Sequence, residues 1–218
     1  MTRVQIKICG VTNVNDARAC VELGADLIGL NFYRQSPRYI DAKVARQIVK
    51  TVGADGGAIG VFVNENADSI RETASAVGLR YIQLHGNSSP ELVRDLAAEF
   101  RVIRAFHTHG QFRPEQVSLF TNCDVLIDAH HPHLHGGTGR TCDWEAARAA
   151  LAYARFLFLS GGLDAQNVGS AIETVAPHAV DVCSGVESAP GAKDHRGIKD
   201  FVAAVRNAEQ SARASVPH

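Results

Sequence analysis

Side chains that can exchange protons stand directly after short apolar runs along this chain. The polar residues in this position are Cys9, Asn31, Asn64, His85, His107, Asp128, Ser160 and Ser184. Thiol, imidazole and carboxyl groups are common general acids and bases in enzymes. Each residue also has an ordinary structural explanation, because a cysteine can fill apolar space and an asparagine can cap a helix. Their shared position after the apolar runs favours a common site.

Two turns rich in small residues, FLSGGL and VCSGVES, follow the last two apolar runs. They contain Gly161, Gly162, Ser184 and Gly185. Backbone N–H groups in such turns can approach an anion closely, and a short helix beginning there adds its dipole. Glycine-rich turns also occur simply where a chain reverses direction. Because two such turns follow the runs that would be strands seven and eight of a barrel, they predict a phosphate site.

The apolar runs alternate with segments of helical period and therefore predict a parallel sheet covered by helices. The runs occupy residues 4–8, 27–30, 58–63, 81–84, 102–105, 125–127, 156–159 and 179–182. Eight such units favour a closed (β/α)8 barrel, a single TIM barrel domain of the α/β class, over an open doubly wound sheet. We predict that residues 1–210 form this barrel and that the polar segment 211–218 is a frayed tail.

Helix starts are predicted at Asn15 or Asp16, Asp41, Asp68 and Pro90, which are residues typical of helix N-termini. Further helices are predicted over 144–151, 166–175 and 198–210, and the segment 110–120 has the weakest helical pattern. The glycine-rich sequence GGTGRTCDW at 136–144 lacks the spacing of a dinucleotide-binding motif. We expect it to form a mobile loop that closes over the site.

The composition limits which binding partners and which cellular compartment we expect for this protein. The 218 residues carry a net charge of -1 with both signs mixed, which gives no broad field for nucleic acid or an anionic membrane. The five cysteines form no CxxC pair and argue against a disulfide framework or a zinc cluster. Without a signal-peptide pattern or an apolar run of ~18 residues, the sequence predicts a soluble, cytoplasmic protein with a small-molecule partner. It leaves monomer and homodimer undecided.

Eight motifs occur in one order along the chain. They are KICG at 7–10, SPRYI at 36–40, GVFVN at 60–64, QLHG at 83–86, LID at 126–128, GGTGRTCDW at 136–144, LSGGL at 159–163 and SGVESAPGAKD at 184–194. Through these motifs nearly the whole chain resembles the phosphoribosylanthranilate isomerase family. That family carries out the Amadori rearrangement of N-(5-phosphoribosyl)anthranilate to 1-(2-carboxyphenylamino)-1-deoxyribulose 5-phosphate in tryptophan biosynthesis.

The resemblance assigns roles to individual residues. It implies that Cys9 is the general base, that Asp128 is the general acid, and that Arg38 lies near the anthranilate carboxylate. It also implies that the turns containing Gly161, Gly162, Ser184 and Gly185 bind the phosphate of the substrate. Lys7 and His85 are predicted to contact the substrate as well. The resemblance implies neither a metal nor a cofactor.

The rearrangement needs an acid at the ribose ring oxygen and a base at C2′, so the two groups must start in opposite protonation states. We expect apolar or anionic surroundings to keep Asp128 protonated. Lys7 shares a strand face with Cys9, and its ammonium group would favour the thiolate. Alternatively, Lys7 is bound to a barrel carboxylate such as Asp181.

Two rival functions remain open at this point. A related barrel isomerase of the histidine pathway performs the same rearrangement on a substrate with two phosphates. A noncatalytic metal-binding or regulatory barrel would instead use the clustered imidazoles of His130, His131, His133 and His135.

Overall fold

A computed structural model describes residues 3–53, 57–108, 112–129 and 143–214. Eight parallel strands, β1 to β8, form a closed barrel in sequence order. The strands are Gln5–Ile8, Leu27–Asn31, Gly57–Val63, Tyr81–His85, Arg101–His107, Asp124–Asp128, Leu157–Ser160 and Ala179–Val182. All eight predicted strands and the (β/α)8 barrel are confirmed, because uniformly apolar runs suit strands that are buried on both faces.

Helices cover the outside of the barrel. They are α1 Val14–Glu22, α2 Ala42–Val52, α3 Ala67–Val77, α4 Pro90–Leu96, α5 Trp144–Ala150, α6 Val168–Val175 and α7 His195–Ala214. Between β5 and β6, where the helical pattern is weakest, the chain forms a 3₁₀ helix over Pro114–Leu119. A two-stranded hairpin, β9 Glu187–Ala189 and β10 Ala192–Lys193, follows β8.

Some helix boundaries differ from those predicted. The side chain of Asn13 accepts the N-terminal hydrogen bond of α1, and Asn66 does so for α3, so both helices begin earlier than Asn15 and Asp68 suggested. Asp41 caps α2 as predicted, and Pro90 is the first residue of α4, which Ser89 caps. Several polar residues adjoin each start, and only the backbone geometry decides which of them accepts the bond.

The last helix begins earlier and ends later than the predicted 198–210. It starts at His195 and continues to Ala214, so the beginning of the predicted frayed tail is helical. The remaining residues, 215–218, lie outside the described part of the chain. Within the described ranges, no helix is long and apolar enough to span a membrane.

The apolar core has two layers. Ile59, Ile103, Leu126 and Phe158 fill the inside of the barrel, and a larger cluster packs the strands against the surrounding helices. The barrel closes where β1 pairs with β8, with Lys7 opposite Asp181 and Ile8 opposite Val182. This seam brings the first and last strands of the barrel together at its carboxyl end, where the predicted site residues lie.

Candidate active site

Cys9 follows β1 at the carboxyl end of the barrel and is partly exposed. Its backbone N–H donates to the carbonyl oxygen of Val182 at 2.8 Å, which fixes Cys9 beside the chain leaving β8. The thiol of Cys183, the residue after β8, lies within interaction distance of the sulfur of Cys9, and it also lies 3.8 Å from Glu187 Oε1, a second acceptor for its single proton. The structure therefore places two sulfur atoms side by side at the mouth of the barrel.

The surroundings of Cys9 favour its thiolate. The hydrogen bond from Cys183 lowers the pKa of Cys9 most, burial opposes this effect, and the positive charges of Lys7 and Lys193 lower the pKa further. Conversely, the same hydrogen bond and burial raise the pKa of Cys183, which keeps its proton. These effects favour a thiolate at Cys9 and a protonated thiol at Cys183, and a thiolate is the form that can accept a proton.

Lys7 was expected either to favour the Cys9 thiolate or to pair with a barrel carboxylate such as Asp181, and its surroundings are consistent with both. Its side chain is buried inside the barrel, and its Nζ donates to Asp181 Oδ1 at 2.9 Å. Burial disfavours the ammonium form, but the charges of Asp181 and Cys9 outweigh burial and raise the pKa of Lys7. Burial raises the pKa of Asp181 to about 7 against the opposing charge of Lys7. Lys7 therefore pairs with a barrel carboxylate and also supports the Cys9 thiolate.

Gly29 on β2 makes room for these two side chains. A Cβ atom added at Gly29 would lie 2.7 Å from Cys9 Sγ and 3.2 Å from Lys7 Nζ. The first separation is shorter than van der Waals contact allows, so the thiol would have to turn away. A glycine at this position is thus part of the site, although it contributes no side chain.

We expect Gly29→Ala to lower kcat by about ten-fold or more, because it displaces the thiol that the family resemblance assigns as the base. Steady-state kinetics on the folded variant measures the effect. Gly169→Ala is the matched control, since a Cβ at Gly169 on α6 meets nothing within 4 Å and should leave kcat unchanged. Wild-type kcat in Gly29→Ala would show that the close approach to Cys9 is unimportant for the reaction.

Asp128 ends β6 and faces the mouth together with two imidazoles. Its Oδ2 lies 3.2 Å from Nδ1 of His107 on β5, and the hydrogen bond to Asp128 raises the pKa of His107. The His107 ring lies 6.0 Å from the ring of His85 on β4. Burial lowers the pKa of His85 to about 4, so this imidazole is neutral near pH 7. The charges of both Cys9 and Asp128 act on His85, which places the predicted base and acid around one mouth.

The surroundings of Asp128 differ from the expected apolar or anionic pocket. The carboxyl group is partly exposed and its neighbour His107 is a cation when protonated, although the carboxylate of Asp181 also acts across the cavity. The imidazole and the carboxyl group can therefore hold a proton between them. His107 was noted in the sequence only because of its position after a strand, with no role assigned to it.

The turns after β7 and β8 meet as predicted. Gly161 and Gly162 have positive φ angles of 103° and 65°, which glycine adopts without strain. A Cβ atom at Gly185 would lie 2.0 Å from the Leu163 carbonyl oxygen, so only glycine lets the two turns approach this closely. The helix predicted after β8 is a single 3₁₀ turn over Ser184–Val186, and its dipole is correspondingly small.

Several backbone N–H groups are available to a ligand where the turns after β7 and β8 meet. Among the described residues, the backbone N–H groups of Gly162, Ser184 and Gly185 donate to no protein acceptor. Gly162 and Ser184 line a cavity of about 240 Å³ that also borders Asp128 and Asp181. Exposed N–H groups of this kind suit a phosphate dianion.

Arg38 lies beside Cys9 but is already bound to a carboxylate. Its Nε and Nη2 donate to Glu187 at 2.9 and 2.6 Å, and its Cδ lies 2.6 Å from where a Cβ of Gly10 would be. Lys193 Nζ donates to the same carboxylate at 2.8 Å. Two cations thus share one anion, and the Nη1 edge of Arg38 points away from Glu187. Neither Glu187 nor Lys193 was predicted as a site residue.

Two features noted in the sequence lie outside the described residues. They are the histidines of the rival metal-binding function, His130, His131, His133 and His135, and most of the loop at 136–144. Within the described ranges, no group of three or more His, Cys, Asp or Glu residues is arranged to hold a metal ion.

The fold is that of the α/β-barrel enzymes, and the titratable groups at its mouth are of the kinds that can transfer protons. The sequence pattern of the family described as N-(5'-phosphoribosyl)anthranilate (PRA) isomerase matches residues 6–204. The chain belongs to this family, and it is an isomerase of tryptophan biosynthesis.

Individual relatives match this chain over almost their whole lengths, in sequence and in structure. The N-(5'-phosphoribosyl)anthranilate isomerase of Trichlorobacter lovleyi is 38% identical over 208 residues, which span 95% of this chain and 99% of the relative. The crystal structure of phosphoribosyl anthranilate isomerase from Thermotoga maritima superimposes with a TM-score of 0.86 at 42% identity, covering 94% of this chain and 99% of that one. Another isomerase, solved in complex with reduced 1-(o-carboxyphenylamino)-1-deoxyribulose 5-phosphate, gives a TM-score of 0.83 at 40% identity, covering 95% and 99%.

Proposed function

We propose that Cys9 and Asp128 carry out the two proton transfers of the phosphoribosylanthranilate rearrangement at this mouth. The observation that carries the proposal is the shared electrostatic environment of the two groups. Asp181, which ion-pairs with Lys7, and the neutral His85 each interact with both Cys9 and Asp128. A ribose bound between them would present its ring oxygen to one group and C2′ to the other.

In the first step, Asp128 delivers a proton to the ribose ring oxygen. The C1′–O bond breaks and the anthranilate nitrogen becomes an iminium. The hydrogen bond between Asp128 and His107 supports this step, because a protonated His107 can supply the proton that the carboxyl group passes on. His107 lies on the exposed side of the pair and can be reprotonated from solvent.

In the second step, the Cys9 thiolate removes the proton at C2′. The iminium charge acidifies this proton, and the electrons move toward nitrogen to give an enolamine, which tautomerises to the aminoketose. The hydrogen bond from Cys183 and the charge of Lys7 support a thiolate as the resting state of Cys9. No electrons enter or leave the substrate, so the side chains need only move protons.

The two anionic ends of the substrate have separate binding groups in this proposal. The N–H groups of Gly162, Ser184 and Gly185 hold the phosphate, because they have no other acceptor among the described residues. The Nη1 edge of Arg38 takes the anthranilate carboxylate, since Arg38 and Lys193 together exceed the charge of Glu187 by one. In the described part of the chain, the paired glycine turns with available N–H groups lie after strands seven and eight, in the second half of the barrel, which favours a substrate with a single phosphate over the two-phosphate substrate of the histidine pathway.

A phosphate-bearing product analogue should bind about 100-fold more tightly than its dephosphorylated form, because hydrogen bonds to a charged group are worth ~1.5–3 kcal/mol each. Isothermal calorimetry measures both affinities. Gly185→Ala should reduce the ratio by forcing the turns apart, whereas Gly169→Ala should preserve it. Equal affinities of the wild-type protein for the two compounds would dismiss the phosphate site.

The function itself is tested by adding the enzyme to freshly generated phosphoribosylanthranilate and following the loss of its fluorescence. We expect rapid turnover with and without a chelator. Turnover of the histidine-pathway aminoaldose at a comparable kcat/KM would contradict the proposed selectivity. Absence of turnover together with tight stoichiometric metal binding would favour the noncatalytic barrel.

A further inference from the structure

The proposed base has a second thiol as its immediate neighbour. Cys9 and Cys183 are the residues that follow β1 and β8, and the register of these strands pairs Ile8 with Val182, one position earlier. A Cβ atom at Gly10 would lie 3.0 Å from Cys183 Sγ, and one at Gly29 would lie 2.7 Å from Cys9 Sγ. Gly10 and Gly29 are themselves joined by a backbone hydrogen bond of 2.9 Å, so both sulfur atoms lie in one small region between β1, β2 and β8.

This arrangement is compatible with a covalent bond between the two sulfurs. Neighbouring strands are ~4.8 Å apart, which falls within the Cα separation of ~4.4–6.8 Å found in disulfides. Both thiols are free and partly exposed in the structure. Cys183 also lines the 240 Å³ cavity of the site, so a small polar oxidant can reach the pair without unfolding of the barrel.

Disulfide formation with peroxide begins at a thiolate, and only one of the two thiols has surroundings that favour this form. Cys9 has the lowered pKa and Cys183 the raised pKa, so one is a thiolate nucleophile and the other a neutral thiol. Cys20 and Cys123 are buried, and burial raises their pKa values to about 12 and about 11. Among these four cysteines, peroxide should therefore react first with Cys9.

We propose that Cys9 and Cys183 are a peroxide-sensitive thiol pair whose disulfide reversibly switches off the enzyme. The Cys9 thiolate attacks one oxygen of hydrogen peroxide, breaks the O–O bond and releases hydroxide, which leaves Cys9 as a sulfenic acid. The sulfur of Cys183 then attacks Cys9 Sγ, loses its proton and displaces water. Overall, one thiolate and one thiol are oxidised to a disulfide, and one peroxide is reduced to one water and one hydroxide, which takes up a proton from solvent to become a second water.

The loss of activity rests on the proposed function, because a disulfide-bonded Cys9 cannot accept the C2′ proton. The formation of the bond does not depend on that role. Cys183 would also protect the base, since a sulfenic acid that forms a disulfide escapes further oxidation to sulfinic acid and can be restored by a thiol reductant.

Treatment of the purified full-length protein with hydrogen peroxide, followed by tryptic digestion without reductant, tests the inference. Cleavage after Lys7 and Arg18 and after Arg155 and Lys193 isolates the two cysteines in peptides 8–18 and 156–193. We expect a cross-linked species of these peptides in the mass spectrum. Turnover should fall by about ten-fold or more and recover with dithiothreitol.

Cys183→Ser and Cys123→Ser provide matched comparisons, each variant being compared with its own untreated sample. The serine hydroxyl at position 183 can still donate to Cys9 but cannot form a disulfide, so peroxide should drive Cys9 to sulfinic acid and the loss should resist dithiothreitol. Cys123→Ser should behave like the wild-type protein, because Cys123 precedes β6 at the far end of the barrel.

The outcomes separate this inference from the proposed function. Oxidation of the wild-type protein without the 8–18 to 156–193 cross-link would overturn the thiol pair and leave the proposed role of Cys9 untouched. A cross-link with full turnover would overturn the switch and also remove Cys9 as the base. Both outcomes are measured on the wild-type protein, so they test the inference even if a variant fails to fold.

Discussion

Replacing Cys9 by alanine is expected to lower kcat about 1,000-fold while the barrel stays folded, since a positioned general base contributes ~10²–10⁴-fold. Cys9 lies at the mouth and is partly exposed, so its removal should disturb little packing. Stopped-time assays of phosphoribosylanthranilate consumption measure the loss, and circular dichroism checks the fold. Cys123→Ala makes the same chemical change at the far end of the barrel and should keep kcat.

The pH profile of the wild-type enzyme gives an independent check on the same role. The active form of Cys9 is the thiolate, and its pKa is lowered chiefly by the hydrogen bond from Cys183. Activity should therefore persist below the usual cysteine range near ~8.5 and fall as the pH drops through the lowered pKa. Cys183→Ala should move this acid limb of kcat/KM to higher pH. Near-normal turnover of Cys9→Ala at any pH would remove Cys9 from the reaction.

Replacing Asp128 by asparagine is expected to lower kcat by about 100- to 1,000-fold, because the amide has nearly the same shape but cannot deliver a proton. The His107 pKa should fall at the same time, since the hydrogen bond to the Asp128 carboxylate is the main cause that raises it. Proton NMR titration of the imidazole measures this pKa separately from turnover.

Asp124→Asn is the control for this substitution. Asp124 begins the same strand at the opposite end of the barrel and pairs with Arg101 at 2.6 Å, so its replacement should affect stability and leave kcat near normal. Turnover of Asp128→Asn close to wild type would show that another group protonates the ring oxygen. An unchanged His107 pKa would show that the two side chains do not share a proton in solution.

The sequence predicts the barrel because each strand is a short apolar run between helical segments, and such runs suit strands that are buried on both faces. The predicted site residues Cys9, His85 and Asp128 share the mouth for the same reason, since the carboxyl ends of parallel strands converge there. Their proposed roles remain predictions that the variants above test.

Other parts of the site depend on geometry that a linear sequence does not contain. The contact of Cys183 with Cys9 follows from the pairing of β1 with β8, whose Lys7 and Asp181 are 174 positions apart. Gly29 contributes to the site because it has no side chain and so leaves room for Cys9 and Lys7. The sequence contains no chemical sign of this role. Glu187 lies in the recognised motif SGVESAPGAKD, yet its bond to Arg38 appears only when the hairpin after β8 folds back.

The seam between β1 and β8 also sets when a newly synthesised chain becomes an enzyme. Lys7 and Cys9 are translated well before Asp181 and Cys183, which belong to the last barrel strand and the residue after it. Until then the ammonium group has no internal counter-ion and the thiol lacks its hydrogen-bond donor. We therefore expect truncated products that end before β8 to be inactive, because they lack both the partner of Lys7 and the neighbour of Cys9.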